Sequence, residues 1–116
     1  MGFTKIKATV GGPKGKETLN FLVDSGAMYT VLPATVWKKI GLTPKRTLGF
    51  ILADGTKIKR KISECRFRYG KLDGTTTVVL GEKNDAALLG AYTLEGLNLV
   101  LNPFDRTLRP AKAMMA

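Results

Sequence analysis

The chain has 116 residues, 44% of them apolar and 24% charged, which fits one folded domain, 1–116, with a single modest core. Its formal net charge is +10, but the lysines are dispersed as Lys5/Lys7 and Lys57/Lys59/Lys61, so a solvated sheet face is a better reading than a nucleic-acid surface. There is no histidine and Cys65 is the single cysteine, which excludes Ser-His-Asp and Cys-His catalysis, intrachain disulfides and zinc clusters, and no metal or cofactor is expected.

The N-terminus alternates lysine with apolar residues and carries no signal-peptide pattern. No apolar run reaches the roughly 20 residues of a membrane span, so a cytoplasmic address is expected. Ile6, Ala8 and Val10 alternate with Lys5, Lys7 and Thr9 as a half-buried strand. The run Gly11-Gly12-Pro13-Lys14-Gly15-Lys16 resembles a phosphate loop. Val10 stands where the first glycine is needed, however, and Glu17 replaces the Ser or Thr, so it reads as a hairpin loop. Leu19, Phe21 and Val23 then form a second strand that ends at Asp24. A short strand over 30–32 runs into Pro33, which is suited to open a helix. Val36, Trp37 and Ile40 lie on one face of that helix, and Gly41 is placed to close it.

Residues 47–53 and 56–62 flank Asp54-Gly55, a two-residue hairpin signal. A further hairpin is expected from 66–69 and 75–80 around Leu72-Asp73-Gly74. Cys65 alternates with Phe67 and Tyr69 and reads as a buried thiol. Residues 81–85 form a polar loop, Tyr92, Leu94 and Leu97 suit a short helix, and Asn102-Pro103-Phe104-Asp105 turns a last hairpin. The tail 111–116 carries little signal and reads as a disordered end. The expected class is mainly β, a closed barrel-like sheet with two short helices.

One stretch points to chemistry. In Phe21-Leu22-Val23-Asp24-Ser25-Gly26-Ala27 an apolar strand delivers a carboxylate into a hydroxyl and a glycine. Asp is a poor strand former, and Asp-Ser-Gly by itself is an ordinary turn. A carboxylate held on a rigid strand end is also a general acid or base when its surroundings tune it. With histidine absent, Asp24 is the group best placed for a reaction.

The order of this strand and Asp24-Ser25-Gly26, the hairpin Phe50-Ile51-Leu52-Ala53-Asp54-Gly55, and Leu88-Leu89-Gly90 before a short helix resembles the retropepsin-like aspartic proteases. The resemblance covers about residues 6–108. It implies a retropepsin β-barrel that carries half an active site and works as a homodimer on an extended peptide. Asp24 from each subunit would form the catalytic dyad. Ser25 would bond across the dimer axis, and Gly26 would allow close approach of substrate. The hairpin 50–55 would be the flap, so that Ile51, Leu52, Ala53, Asp54 and Gly55 bind substrate together with Ala27, Met28 and Leu89. The C-terminal hairpin and the first strand are the candidate interface. The alternative reading is a catalytically silent barrel of the same fold that serves dimerisation or protein binding.

Overall fold

The computed structural model describes residues 4–24, 26–102 and 104–111. Two long strands open the chain, β1 (Lys5–Gly12) and β2 (Gly15–Val23). They pair antiparallel from Lys5↔Leu22 to Gly12↔Gly15, so the turn is Pro13-Lys14 and the glycine-rich run is a hairpin as expected. A side chain at Gly12 would lie 2.5 Å from the Ile40 carbonyl oxygen, which explains the glycine there.

Strand β3 (Thr30–Leu32) leads into α1 (Ala34–Lys39), with Pro33 as its N-cap. Gly41 ends that helix at φ +81°, donating to the Lys38 carbonyl at 3.2 Å while Leu42 donates to the Trp37 carbonyl at 3.0 Å. These two bonds make a Schellman closure, which an L side chain at Gly41 would strain.

Next come β4 (Arg46–Ile51), the 13-residue β5 (Lys57–Tyr69) and β6 (Leu72–Leu80). β5 and β6 pair as far as Tyr69↔Leu72. Their turn is therefore Gly70-Lys71, with Gly70 at φ +60°, and not the expected Leu72-Asp73-Gly74. A glycine that accepts a positive φ outweighed the Asp-Gly signal because it lets the ladder continue for three more residues.

The two-residue strand β7 (Leu88–Leu89), α2 (Ala91–Gly96), β8 (Leu99–Asn102) and β9 (Thr107–Pro110) complete the chain. The main sheet runs β1-β2-β7-β3-β6-β5-β4, and β1 also pairs β5 at residues 9–11, which curls the sheet back on itself. β8 and β9 form a separate two-stranded sheet. The class is mainly β with two short helices, as expected.

Alternation on β1, β2 and β5 turns Val10, Phe21 and Phe67 inward, where they meet Leu32, Ile40, Val78 and Leu89. The Phe21 and Phe67 rings tilt against each other at 5.8 Å. Cys65 lies in the same core, and burial pushes its thiol up to about 12. Burying a fully covered side chain of this size contributes about 1.5–3 kcal/mol. The end of the chain is not wholly loose, since Ala111 donates to the Asn98 carbonyl at 2.6 Å; residues 112–116 lie outside the described ones. No helix among the described residues is long and apolar enough to cross a membrane.

Candidate active site

Asp24 follows β2 next to the short strand β7. β7 lies between β2 and β3, parallel to the first and antiparallel to the second. The Asp24 amide donates to the Leu89 carbonyl at 3.0 Å, so the residue leaves the sheet from a fixed position. Its side chain is exposed. Oδ1 accepts the Gly26 amide at 3.0 Å, and the Asp24 carbonyl accepts the Ala27 amide at 3.1 Å. A Cβ at Gly26 would lie only 3.2 Å from that Oδ1, crowding the carboxylate. Ser25, the middle residue of the motif, lies outside the described residues.

The loop is anchored from below. The Ala27 and Met28 carbonyls accept the Ala91 and Tyr92 amides at 2.8 and 2.9 Å, satisfying the otherwise unpaired first turn of α2. Gly90 presses on the loop so closely that a Cβ there would lie 2.4 Å from the Tyr29 carbonyl carbon. Its amide donates to Thr30 Oγ1 at 3.0 Å. Thr30 and Thr76 each share a hydrogen bond with Thr93, at 2.6 and 2.7 Å between hydroxyls. All three threonines are buried, and no buried side-chain polar atom among the described residues is left unpaired.

Beside the loop opens a cleft of about 590 Å³. Gly26, Ala27, Met28 and Tyr29 form one wall, Phe50, Ile51, Leu52 and Ile58 form the flap side, and Val31, Val79 and Leu88 lie between them. The charged residues in its lining are Arg60 and Asp85. Met28, Ile51 and Leu52 are exposed, so three large apolar side chains stand ready for an occupant.

The flap itself differs from the expected two-residue turn. Leu52 donates to the Thr56 carbonyl at 2.7 Å, and Gly55 to the Leu52 carbonyl at 2.9 Å. The tip is therefore the three-residue loop Ala53-Asp54-Gly55, with Gly55 at φ +87°. Asp54 Oδ1 accepts the Thr56 amide at 2.9 Å. Bonds from the Thr56 hydroxyl and then its amide hold the Asp54 carboxyl below its usual range.

The structure thus brings Gly26, Ala27, Met28, Ile51 and Leu52 to one cleft and sets Asp24 beside it. Ala53, Asp54 and Gly55 sit at the exposed tip. Leu89 is corrected: it is fully buried, and its neighbour Leu88 lines the cleft. The two alternate because β7 is a strand, which puts consecutive side chains on opposite faces. Sequence reading placed Phe50 in the flap but not among the substrate-binding residues, and it passed over Tyr29 and Arg60. Tyr29 meets Phe50 and Tyr92 edge-on, at 5.7 and 5.1 Å between ring centres. An aromatic after Met28 was the available signal. Among the described residues no three acidic or cysteine side chains gather as a metal site.

An exposed Asp-x-Gly carboxylate thus stands beside a cleft walled in part by a β-hairpin. The model of the gag-polyprotein putative aspartyl protease family matches residues 8–96. The chain belongs to this family. Its fold is similar to that of the EIAV protease complexed with the inhibitor HBY-793, with a TM-score of 0.62 and 14% identity over 98% of this chain and 94% of that one. It is also similar to the simian foamy virus (mac) protease in its solution structure, with a TM-score of 0.57 and 19% identity over 80% of this chain and 93% of that one. No curated protein sequence matches the chain significantly. The resemblance to retropepsin-like aspartic proteases is therefore borne out by family and by fold.

Proposed function

We propose that the protein is an aspartic endopeptidase whose catalytic dyad forms from the Asp24 residues of two identical chains. The observation that carries this reading is the Asp24 carboxylate, exposed at a fixed strand end, oriented by the Gly26 amide at 3.0 Å and set beside an apolar cleft. One chain supplies one such carboxylate. Across a two-fold axis, two of them share a proton, because both cannot ionise cheaply at close range. The ionised member takes a proton from water as the water attacks the peptide carbonyl. The protonated member polarises that carbonyl, and the roles reverse as the amine leaves. No histidine is required, in keeping with the composition.

In this reading Ala27, Met28, Ile51 and Leu52 contact the substrate side chains, and the flap 53–55 closes over an extended peptide. Ser25 steadies the two loops. Exposed Val100 and Phe104 make the C-terminal hairpin the favoured interface. The first strand is less available, because residues 9–11 of β1 are already paired on both sides.

The test is digestion of an unfolded protein mixture by the wild type and by Asp24→Asn from about pH 3 to 8, a range that brackets a coupled carboxyl pair. Wild-type cleavage, absent from the variant and declining on dilution below the dimer's dissociation constant, is expected. Equal cleavage by both proteins would sink the assignment.

A further inference from the structure

The cleft does not end at its apolar walls. Arg60 lines it and also lines a second cavity of about 430 Å³, bordered by α1, β5 and residues 80–83. Lys38, Lys59, Lys61 and Lys83 stand around that second cavity, and Glu82 is the acid in its lining. All four lysines are exposed. Lys59 and Lys61 share one face of β5, opposite Arg60, because alternate strand residues face opposite ways, and all three border the cavity. Lys38 lies with Nζ 5.5 Å from the centre of the Trp37 ring, and Trp37 Nε1 donates to the Gly81 carbonyl at 2.8 Å. That bond ties the helix bearing Lys38 to the loop bearing Lys83. The cations are therefore presented by packed elements.

Glu82 reaches Arg60 at 3.4 Å, but its side chain is 72% exposed. Such a contact is worth little and yields readily to another carboxylate. The remaining cations line one cavity, and like charges repel most strongly inside a Debye length, about 10 Å at 0.1 M salt.

Resting on the protease reading above, we propose that this basic surface extends the substrate cleft and selects peptides that carry an acidic segment beyond the scissile region. The apolar cleft takes apolar side chains near the cleaved bond. A chain that leaves it past Arg60 enters the ring of lysines, where carboxylates relieve the repulsion and form several weak pairs. Each exposed pair favours binding by about twofold, so three or four together give roughly tenfold.

The test uses two fluorescent peptides with the same apolar core, one flanked by three glutamates and one by three alanines. Anisotropy with the Asp24→Asn protein reads binding without cleavage, and kcat/KM with the active protein reads turnover. The acidic peptide is expected to be favoured by roughly tenfold at low salt. That preference should shrink at 0.5 M salt and vanish in Lys59→Glu/Lys61→Glu/Lys83→Glu, whose fold is checked by circular dichroism. It should survive in Lys14→Glu/Lys16→Glu, which reverses charge around a groove at the other end of β2.

Equal handling of the two peptides overturns the proposal, as does a preference that survives the triple reversal or is lost in the distant pair. Tighter binding of an oligothymidine than of the acidic peptide also overturns it. Flank preference in anisotropy without cleavage of any peptide would sustain the basic surface while removing the protease reading. Cleavage without preference would do the reverse.

Discussion

Beneath the cleft, Thr30, Thr76 and Thr93 bury their hydroxyls against one another and Gly90 presses on the backbone of Tyr29, whereas above it every residue from 51 to 57 is exposed. The same strand takes part in both regions. The first half of β5 pairs β4, which has no other partner among the described residues, and the second half lies between β1 and β6. The difference teaches where precision is required. Under the proposed dyad, a carboxylate that pairs with a second one needs a rigid base, while a roof proposed to admit a peptide needs few buried contacts.

Gly90→Ala should break the base most severely. The new methyl would lie 2.4 Å from the Tyr29 carbonyl carbon and 2.5 Å from its oxygen, and backbone cannot move aside cheaply. A loss of at least about 3 kcal/mol in urea unfolding is expected, with poor yield of folded protein. Thr93→Val keeps the shape but removes the hydroxyl that Thr30 and Thr76 share. It should cost about 2 kcal/mol by the same measurement, with the flap unaffected.

The roof should respond locally. Gly55→Ala forces an L side chain to φ +87° with nothing within 4 Å of the new methyl, so the cost is purely conformational. About 1 kcal/mol is expected, seen as faster amide exchange in residues 51–57 and not in β6. A comparable quickening of exchange in β6 would mean that the flap and the base act as one unit, and the contrast would fail.

Acid should produce the smallest effect. The Asp54 carboxyl is held below the usual carboxylate range, so its bonds to Thr56 are present in full above that range and are lost as pH falls through the lowered value. Exchange at the Thr56 amide, corrected for intrinsic pH dependence, should quicken below about pH 4 in the wild type and show no such step in Asp54→Asn.

Much of the fold was legible because its signals are local. The period-two alternation of Ile6, Ala8 and Val10 located β1, and Pro33 and Gly41 bracketed α1. The Asp24-Ser25-Gly26 motif and the 50–55 hairpin were sufficient to suggest the family. Two turns were misread: at 72–74 the Asp-Gly signal lost to Gly70, which extends the ladder, and at the flap Ala53 joins Asp54-Gly55 in a three-residue loop. Leu89 was placed in the cleft because the two leucines of β7 are equivalent as sequence, and only the pleat distinguishes them. The Thr30–Thr93 pair was invisible, since its members are 63 residues apart and threonines are common in strands.

The sequence by itself determined a mainly β domain with one carboxylate-bearing loop, because alternation, turn chemistry and the absence of histidine act within a few residues or by composition alone. Only the tertiary structure decided which leucine faces the cleft, that Tyr29 braces the flap root against α2, and that Arg60 joins the apolar cleft to a ring of lysines. Those relations depend on how distant strands align in the sheet, and strand register is set by the packing of the whole core.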